Sequence, residues 1–204
     1  MARIGGRNPW IAVPAGMLCA AVVASLVWLA LPMVPVAVTW VGDTLRGATA
    51  PRPAATPERT PAQTAAEGGA VDCRTLYSDD LWNELTWHEG SLLGQSTAAP
   101  ATTATAFADA AAPDVVVTCT WRFDAGGIVT TLSKVGADAV TIAEAALAGD
   151  GFSCRTGEGA TVCERTQGAV REEHTLRDGL WLVSVETDWH PEDYGARLDR
   201  TVFG

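Results

Sequence analysis

VREEHTLR-DG-LWLVSVET, residues 170–187, decides the fold. Two runs that alternate in polarity flank Asp178-Gly179, a dipeptide suited to a two-residue hairpin turn because both positions tolerate positive φ. With those two residues as the turn, Arg177 opposes Leu180 and Leu176 opposes Trp181. Arg171 falls opposite Glu186, a compatible charge pair on what the alternation makes the outer face. Val170, Glu172, His174 and Leu176 then share the buried face with Trp181, Val183 and Val185. That face carries a carboxylate and an imidazole two residues apart, and burying either without a partner is costly. Glu172, His174 and Trp181 are therefore the candidate ligand-binding residues, with the indole as one wall of a pocket. The competing reading is structural: this end of the sheet is open to water, or a helix supplies the missing hydrogen bond.

Working outward, the same grammar reads two more hairpins. VVVTCTWRF (115–123) points Val115, Val117, Cys119, Trp121 and Phe123 inward. Asp124 to Gly127 turns the chain, and Ile128, Thr130 and Leu132 return beside it. In GFSCRTG-EG-ATVCERT (151–166), a turn at Glu158-Gly159 places Cys154 directly opposite Cys163. Ser78 caps a helix from Asp79 to Glu89 that Gly90 ends, with Leu81, Leu85 and His88 on one face and Trp82 beside them. Asp138 opens a second helix to about Ala148, and Pro191 a terminal one carrying Tyr194, Leu198 and Val202 at i, i+4, i+8. Residues 94–113, rich in Ala and Thr, read as an exposed loop. The order α-ββ-α-ββ-ββ-α predicts an α+β domain: an antiparallel sheet of about six strands with two to three packed helices.

Four of the five cysteines, Cys73, Cys119, Cys154 and Cys163, lie in residues 71–204 at wide spacings without a C-x-x-C pair. Disulfides in an oxidising compartment fit this pattern better than a metal site. The register pairs Cys154 with Cys163, which leaves Cys73 with Cys119.

The amino end differs in kind. No charged side chain occurs from Asn8 to Gly42, and residues 10–31 (WIAVPAGMLCAAVVASLVWLAL) are long enough to span a bilayer. The apolar stretch continues to about residue 42, with Trp10 and Trp40 at its ends and Pro32 and Pro35 where a helix is expected to stop. Arg3 and Arg7 precede the span and Arg46 follows it, which places residues 1–9 in the cytoplasm and the carboxyl side outside the cell membrane. The apolar run is too long for a cleaved signal peptide, so it reads as a retained signal anchor. Residues 47–70, rich in Ala, Pro and Thr, read as a semi-stiff linker to an extracytoplasmic domain at 71–204.

A helix opened by Cys73-Arg-Thr-Leu76 and a strand carrying Cys119-Thr-Trp121 resemble the secreted or membrane-tethered domains of unknown function of high-GC Gram-positive bacteria, which pair C-x-x-L with C-x-W. Similar domains serve there as sensor modules of membrane kinases. Many members are lipoproteins; this chain has Leu18 before Cys19 and lacks the lipobox. The resemblance brings no catalytic residue with it, and no cofactor is expected.

The composition narrows the function classes. The chain has 204 residues and a net charge of −10, with a single lysine, Lys134, which excludes nucleic acid as a partner. No G-x-S-x-G, H-E-x-x-H, phosphate loop or dinucleotide fingerprint occurs. The acidic stretch Asp188-Trp-His190-Pro-Glu192-Asp193 lacks the spacing and glycine of a calcium loop, so no metal is expected. The sequence thus predicts a non-catalytic, single-pass membrane protein that contacts the bilayer through residues 10–31 and binds or senses an extracytoplasmic ligand. The alternatives are an envelope interaction module, or an extracytoplasmic hydrolase with an atypical site near His174 or His190.

Overall fold

A computed structural model describes residues 9–30 and 59–204. Residues 1–8, the apolar stretch beyond residue 30 with Pro32, Pro35 and Trp40, and residues 47–58 of the expected linker lie outside the described residues. The chain divides into two units, Met1–Thr56 and Pro57–Gly204. In the first, α1 (Pro9–Ala30) is a helix of 22 residues without a charged side chain. Val13, Met17, Leu18, Val22, Val23, Leu26, Trp28 and Leu29 on it are exposed. Among the described residues no helix is long and apolar enough to cross a membrane, so the span expected at residues 10–31 is not found in the structure.

The second unit runs α2 (Pro61–Ala66), α3 (Cys73–Leu76), α4 (Asp79–Thr86), β1 (Leu92–Ser96), α5 (Thr105–Ala111), β2 (Asp114–Arg122), β3 (Gly127–Lys134) and α6 (Ala139–Gly149). It continues with β4 (Ser153–Gly157), β5 (Ala160–Gln167), β6 (Val170–Arg177), β7 (Leu180–Thr187) and α7 (Tyr194–Phe203). All strand pairs are antiparallel, in one sheet ordered β1-β2-β3-β7-β6-β5-β4. The domain is therefore α+β, with seven strands rather than six.

The extra strand starts at Leu92 and runs into the first residues of the stretch expected to be loop, 94–96. β1 is exposed along its whole length, so no alternation marks it; pairing with β2 places Leu93 opposite Trp121 and Gln95 opposite Cys119. The loop expected at 94–113 also holds α5, seven residues and too short to be stable alone, which burial of Phe107 and Ala104 holds in place.

Two hairpins take the expected registers, Cys154 opposite Cys163 and Arg171 opposite Glu186; in the first hairpin Trp121 lies opposite Ile128, and Gly127, expected in the turn, already pairs with Arg122. A bulge between Val115 and Val117 interrupts the first. It shifts Val115 opposite Ser133, onto the other face from Val117, Cys119 and Trp121. Both disulfides form as expected, Cys73–Cys119 and Cys154–Cys163. The first spans 46 positions and the second 9. Loop entropy makes the longer closure the more stabilising, about 4 kcal/mol against about 2.5.

Helices cover both faces. On one, α2, α3, α4 and α7 pack over Val117, Trp121, Ile128, Leu132 and Leu182. On the other, α5, α6 and Phe152 pack over Cys163, Leu176, Trp181 and Val183. The Arg171–Glu186 pair is consequently not on an outer face, since α7 and its approach lie over that side and Glu186 is buried.

The linker expected at 47–70 also ends earlier than its composition implies. Thr60 and Gln63 exchange hydrogen bonds in a capping box, Pro61 occupies the first turn, and Pro61, Ala62 and Ala65 are buried. The domain therefore begins near residue 57, not 71. The helix expected from Asp79 to Glu89 stops at Thr86, and its N-cap Ser78 makes no side-chain capping bond.

Candidate functional site

β6 and β7 bring Glu172, His174 and Trp181 together on the face under α5 and α6. The Trp181 indole N–H donates to His174 Nδ1 at 3.1 Å, so the ring's own proton sits on Nε2. Nε2 donates to Glu172 Oε1 at 2.9 Å. Imidazole and indole lie nearly parallel, with Phe107 and Phe152 edge-on to the imidazole. From the opposite side, the hydroxyls of Thr102 and Thr103 donate to Glu172, and the Thr103 N–H donates at 3.1 Å. Arg165 completes the set 3.9 Å from the carboxylate, its guanidinium stacked over Phe152. Burial alone would raise the Glu172 pKa, but the hydrogen bonds from His174, Thr102 and Thr103 outweigh it and hold the group down at about 2.

These residues are assembled and sealed. Glu172 is 1% exposed, and His174 and Trp181 are fully buried. They offer a ligand no surface, because the segment expected to be an exposed loop folds across them and supplies Thr102 and Thr103. The hydrogen bonds come from that segment rather than from open water, so the structural reading describes the network: it pins α5 to the sheet. A surface cleft of about 550 Å³ lies beside it, lined by Ala99, Pro100, Thr102, Thr105, Asp109 and Val115.

The neighbouring strand residue was missed in the sequence because alternation puts it outside. Glu173 projects to the opposite face, toward α7, and is 8% exposed. It accepts no hydrogen bond from any described residue, and burial raises its pKa, offset in part by Arg155 and Arg171. Its carboxylate lies under Gly195, where any Cβ would collide with it. The groove alongside, about 330 Å³, is lined by Glu173, Asp199, Arg155, Arg177, Val162 and Thr175, among others. The signal was available: LWLVSV in β7 is nearly continuous in apolar character, the mark of a strand covered on both faces.

The remaining histidines have ordinary surroundings. His88 stacks on Trp189 at 3.7 Å and meets Phe123 edge-on. His190 lies 3.3 Å from Glu186, whose pKa burial raises to about 7, with Arg171 opposing and Glu173 reinforcing the shift. Among the described residues no group of three or more His, Cys, Asp or Glu side chains is placed to hold a metal ion.

No protein-family model matches the chain, and no curated protein matches it. Among solved structures, a GTP binding regulator from Thermotoga maritima is similar at 15% identity and a TM-score of 0.36, over 63% of this chain and 89% of that one. A likeness of that size carries no argument about this chain.

Proposed function

We propose that this chain is a single-pass membrane-anchored protein whose disulfide-bonded domain stands on the extracytoplasmic side and binds a ligand there without catalysis. The observation that carries this reading is the pair of disulfides within the folded domain, one of them tying α3 to β2 through buried sulfurs. Such bridges form and persist in oxidising compartments. In the sequence, residues 10–31 carry no charged side chain, and as a continuous helix these 22 residues would extend about 33 Å, the thickness of a bilayer's hydrocarbon core. Its internal Pro14 is of a kind tolerated in membrane helices. Arg3 and Arg7 ahead of the helix favour an inside amino end. The resemblance to tethered domains of high-GC Gram-positive bacteria points the same way. A hydrolase centred on His174 is disfavoured, because that side chain has no exposed surface to offer a substrate.

A docking module is the second reading, favoured by Trp87 at 84% exposure together with exposed Leu92 and Leu93 on the edge strand. Thiol counting on membranes prepared from intact cells tests the main reading. A maleimide mass tag should add once to the unreduced chain, at Cys19, and five times after reduction. Five additions without reduction, or recovery of the full chain in the soluble fraction, would overturn it.

A further inference from the structure

We infer that the groove between α7 and the β4–β5–β6 end of the sheet is a binding site for a small zwitterion, a molecule with a primary ammonium at one end and an anionic group at the other, of which a free amino acid is the simplest. This deepens the reading of the domain as a ligand binder and rests on it.

The argument starts from an unmet need. Glu173 is more than nine-tenths buried, lines the groove, and has no hydrogen-bond partner among the described residues. Buried carboxylates in folded proteins are normally satisfied, as Glu172 is one residue away. Asp199 on α7 faces the same groove, and its Oδ1 is a buried acceptor without a partner. Two unpaired acceptors in one groove call for a donor-rich cation. A metal ion would want a third ligand, and none is grouped with them; an ammonium, with three donors, needs no more than these acceptors and the Thr175 hydroxyl beside them.

Gly195 points the same way. It sits in a helix with an ordinary negative φ, so its backbone does not require glycine. It is the second residue of α7, and what a side chain would strike there is the Glu173 carboxylate. The position has been left bare to make room for the acid.

The rim supplies the opposite charge. Arg155 and Arg177 line the groove; among the described residues Arg155 pairs with half-buried Glu164 at 3.3 Å, and Arg177 pairs with exposed Asp178 at 3.6 Å and lies over the Phe203 ring. Ion pairs open to water are weak and exchangeable, whereas a bound carboxylate can engage a guanidinium with two parallel bonds. A purely anionic ligand would meet Glu173, Asp199 and a strongly acidic domain; a purely cationic one would leave the arginines unused. The groove volume suits a single amino acid or a dipeptide.

Isothermal titration of the full chain in mild detergent tests this, with L-alanine, D-alanine, L-lysine and glycylglycine as zwitterions and propylamine and propionate as single-charge probes. At least one zwitterion is expected to saturate, with both single-charge probes at least about tenfold weaker. Glu173→Gln, of matching shape, should lower affinity for the zwitterion by about tenfold or more while its melting temperature is kept. Arg155→Gln, on the rim and harmless to folding, should weaken the zwitterion but not propylamine. Absence of saturation by every zwitterion at millimolar concentration, or undiminished affinity in both variants, overturns the assignment. Either result on a chain still membrane-bound with one reactive thiol removes the groove alone; a soluble chain with five reactive thiols removes the membrane reading instead.

Discussion

Glu172 and Glu173 are adjacent on β6, both buried, and opposite in circumstance. Glu172, facing α5 and α6, collects hydrogen bonds from Thr102, Thr103 and His174 and has an arginine nearby. Glu173, facing α7, has no hydrogen-bond partner among the described residues, and Arg155 and Arg171 offset its burial only in part. Burial opposes ionisation of both, yet Glu172 is held at about 2 while Glu173 is pushed upward. The difference teaches that a buried charge by itself says little about function. A carboxylate whose acceptors are filled by its own chain is a strut, and one whose acceptors are empty beside a groove is where a partner from outside is expected.

The largest effect should come from breaking the strut. Glu172→Ala leaves His174 Nε2–H, two threonine hydroxyls and Arg165 without their common acceptor, and should cost about 3–5 kcal/mol of unfolding free energy. Denaturant unfolding under non-reducing conditions measures it. Glu173→Ala should cost about 1 kcal/mol or less, because no bond is lost. Equal losses from the two would end the distinction.

Next in size is the response to pH. Glu172 has its pKa lowered from the free value, so its contribution is complete above about 4.5 and disappears as pH falls through about 2. Glu186 has its pKa raised to about 7, so the folded state binds the extra proton, and stability is lost as pH rises from about 4.5 through 7. Each span of about 2.5 units corresponds to about 3 kcal/mol at most. Glu173 shifts in the same direction as Glu186. Melting temperature should therefore peak near pH 5 and fall on both sides. Glu172→Gln should flatten the acid limb and Glu186→Gln the neutral one; a profile unchanged by either substitution would contradict the assignment of these two groups.

How far the sequence reached follows the same division. Registers were legible because turn chemistry at Asp178-Gly179 and Glu158-Gly159 sets pairing, and pairing sets which cysteines meet. The company of Glu172, His174 and Trp181 followed from parity along two strands. What covers a face is not encoded in its period. Thr102 and Thr103 come from a stretch of Ala and Thr with no apolar rhythm, and only Phe107 marks where it docks. The capping box of Thr60 and Gln63 was written in the sequence but hidden within Ala/Pro/Thr composition. Glu173 was set aside because alternation made it outward, a reading that fails once α7 closes over that side.

The smallest expected effect isolates the contact on which that second face turns. Alanine in place of glycine normally favours a helix, by about 1 kcal/mol in its interior and by less in a first turn, where Gly195 lies. At position 195 the added methyl would collide with the Glu173 carboxylate, so Gly195→Ala should instead lower stability by about 1–2 kcal/mol. If the carboxylate is the cause, removing it restores the ordinary preference: in a Glu173→Ala background, the same Gly195→Ala change should become neutral or favourable. The coupling in that double-mutant cycle, read from denaturant midpoints, is expected at about 1–3 kcal/mol. Additive effects would mean that glycine is required at position 195 for a reason other than the acid beneath it, and Glu173 would then lose its claim to a space kept open for it.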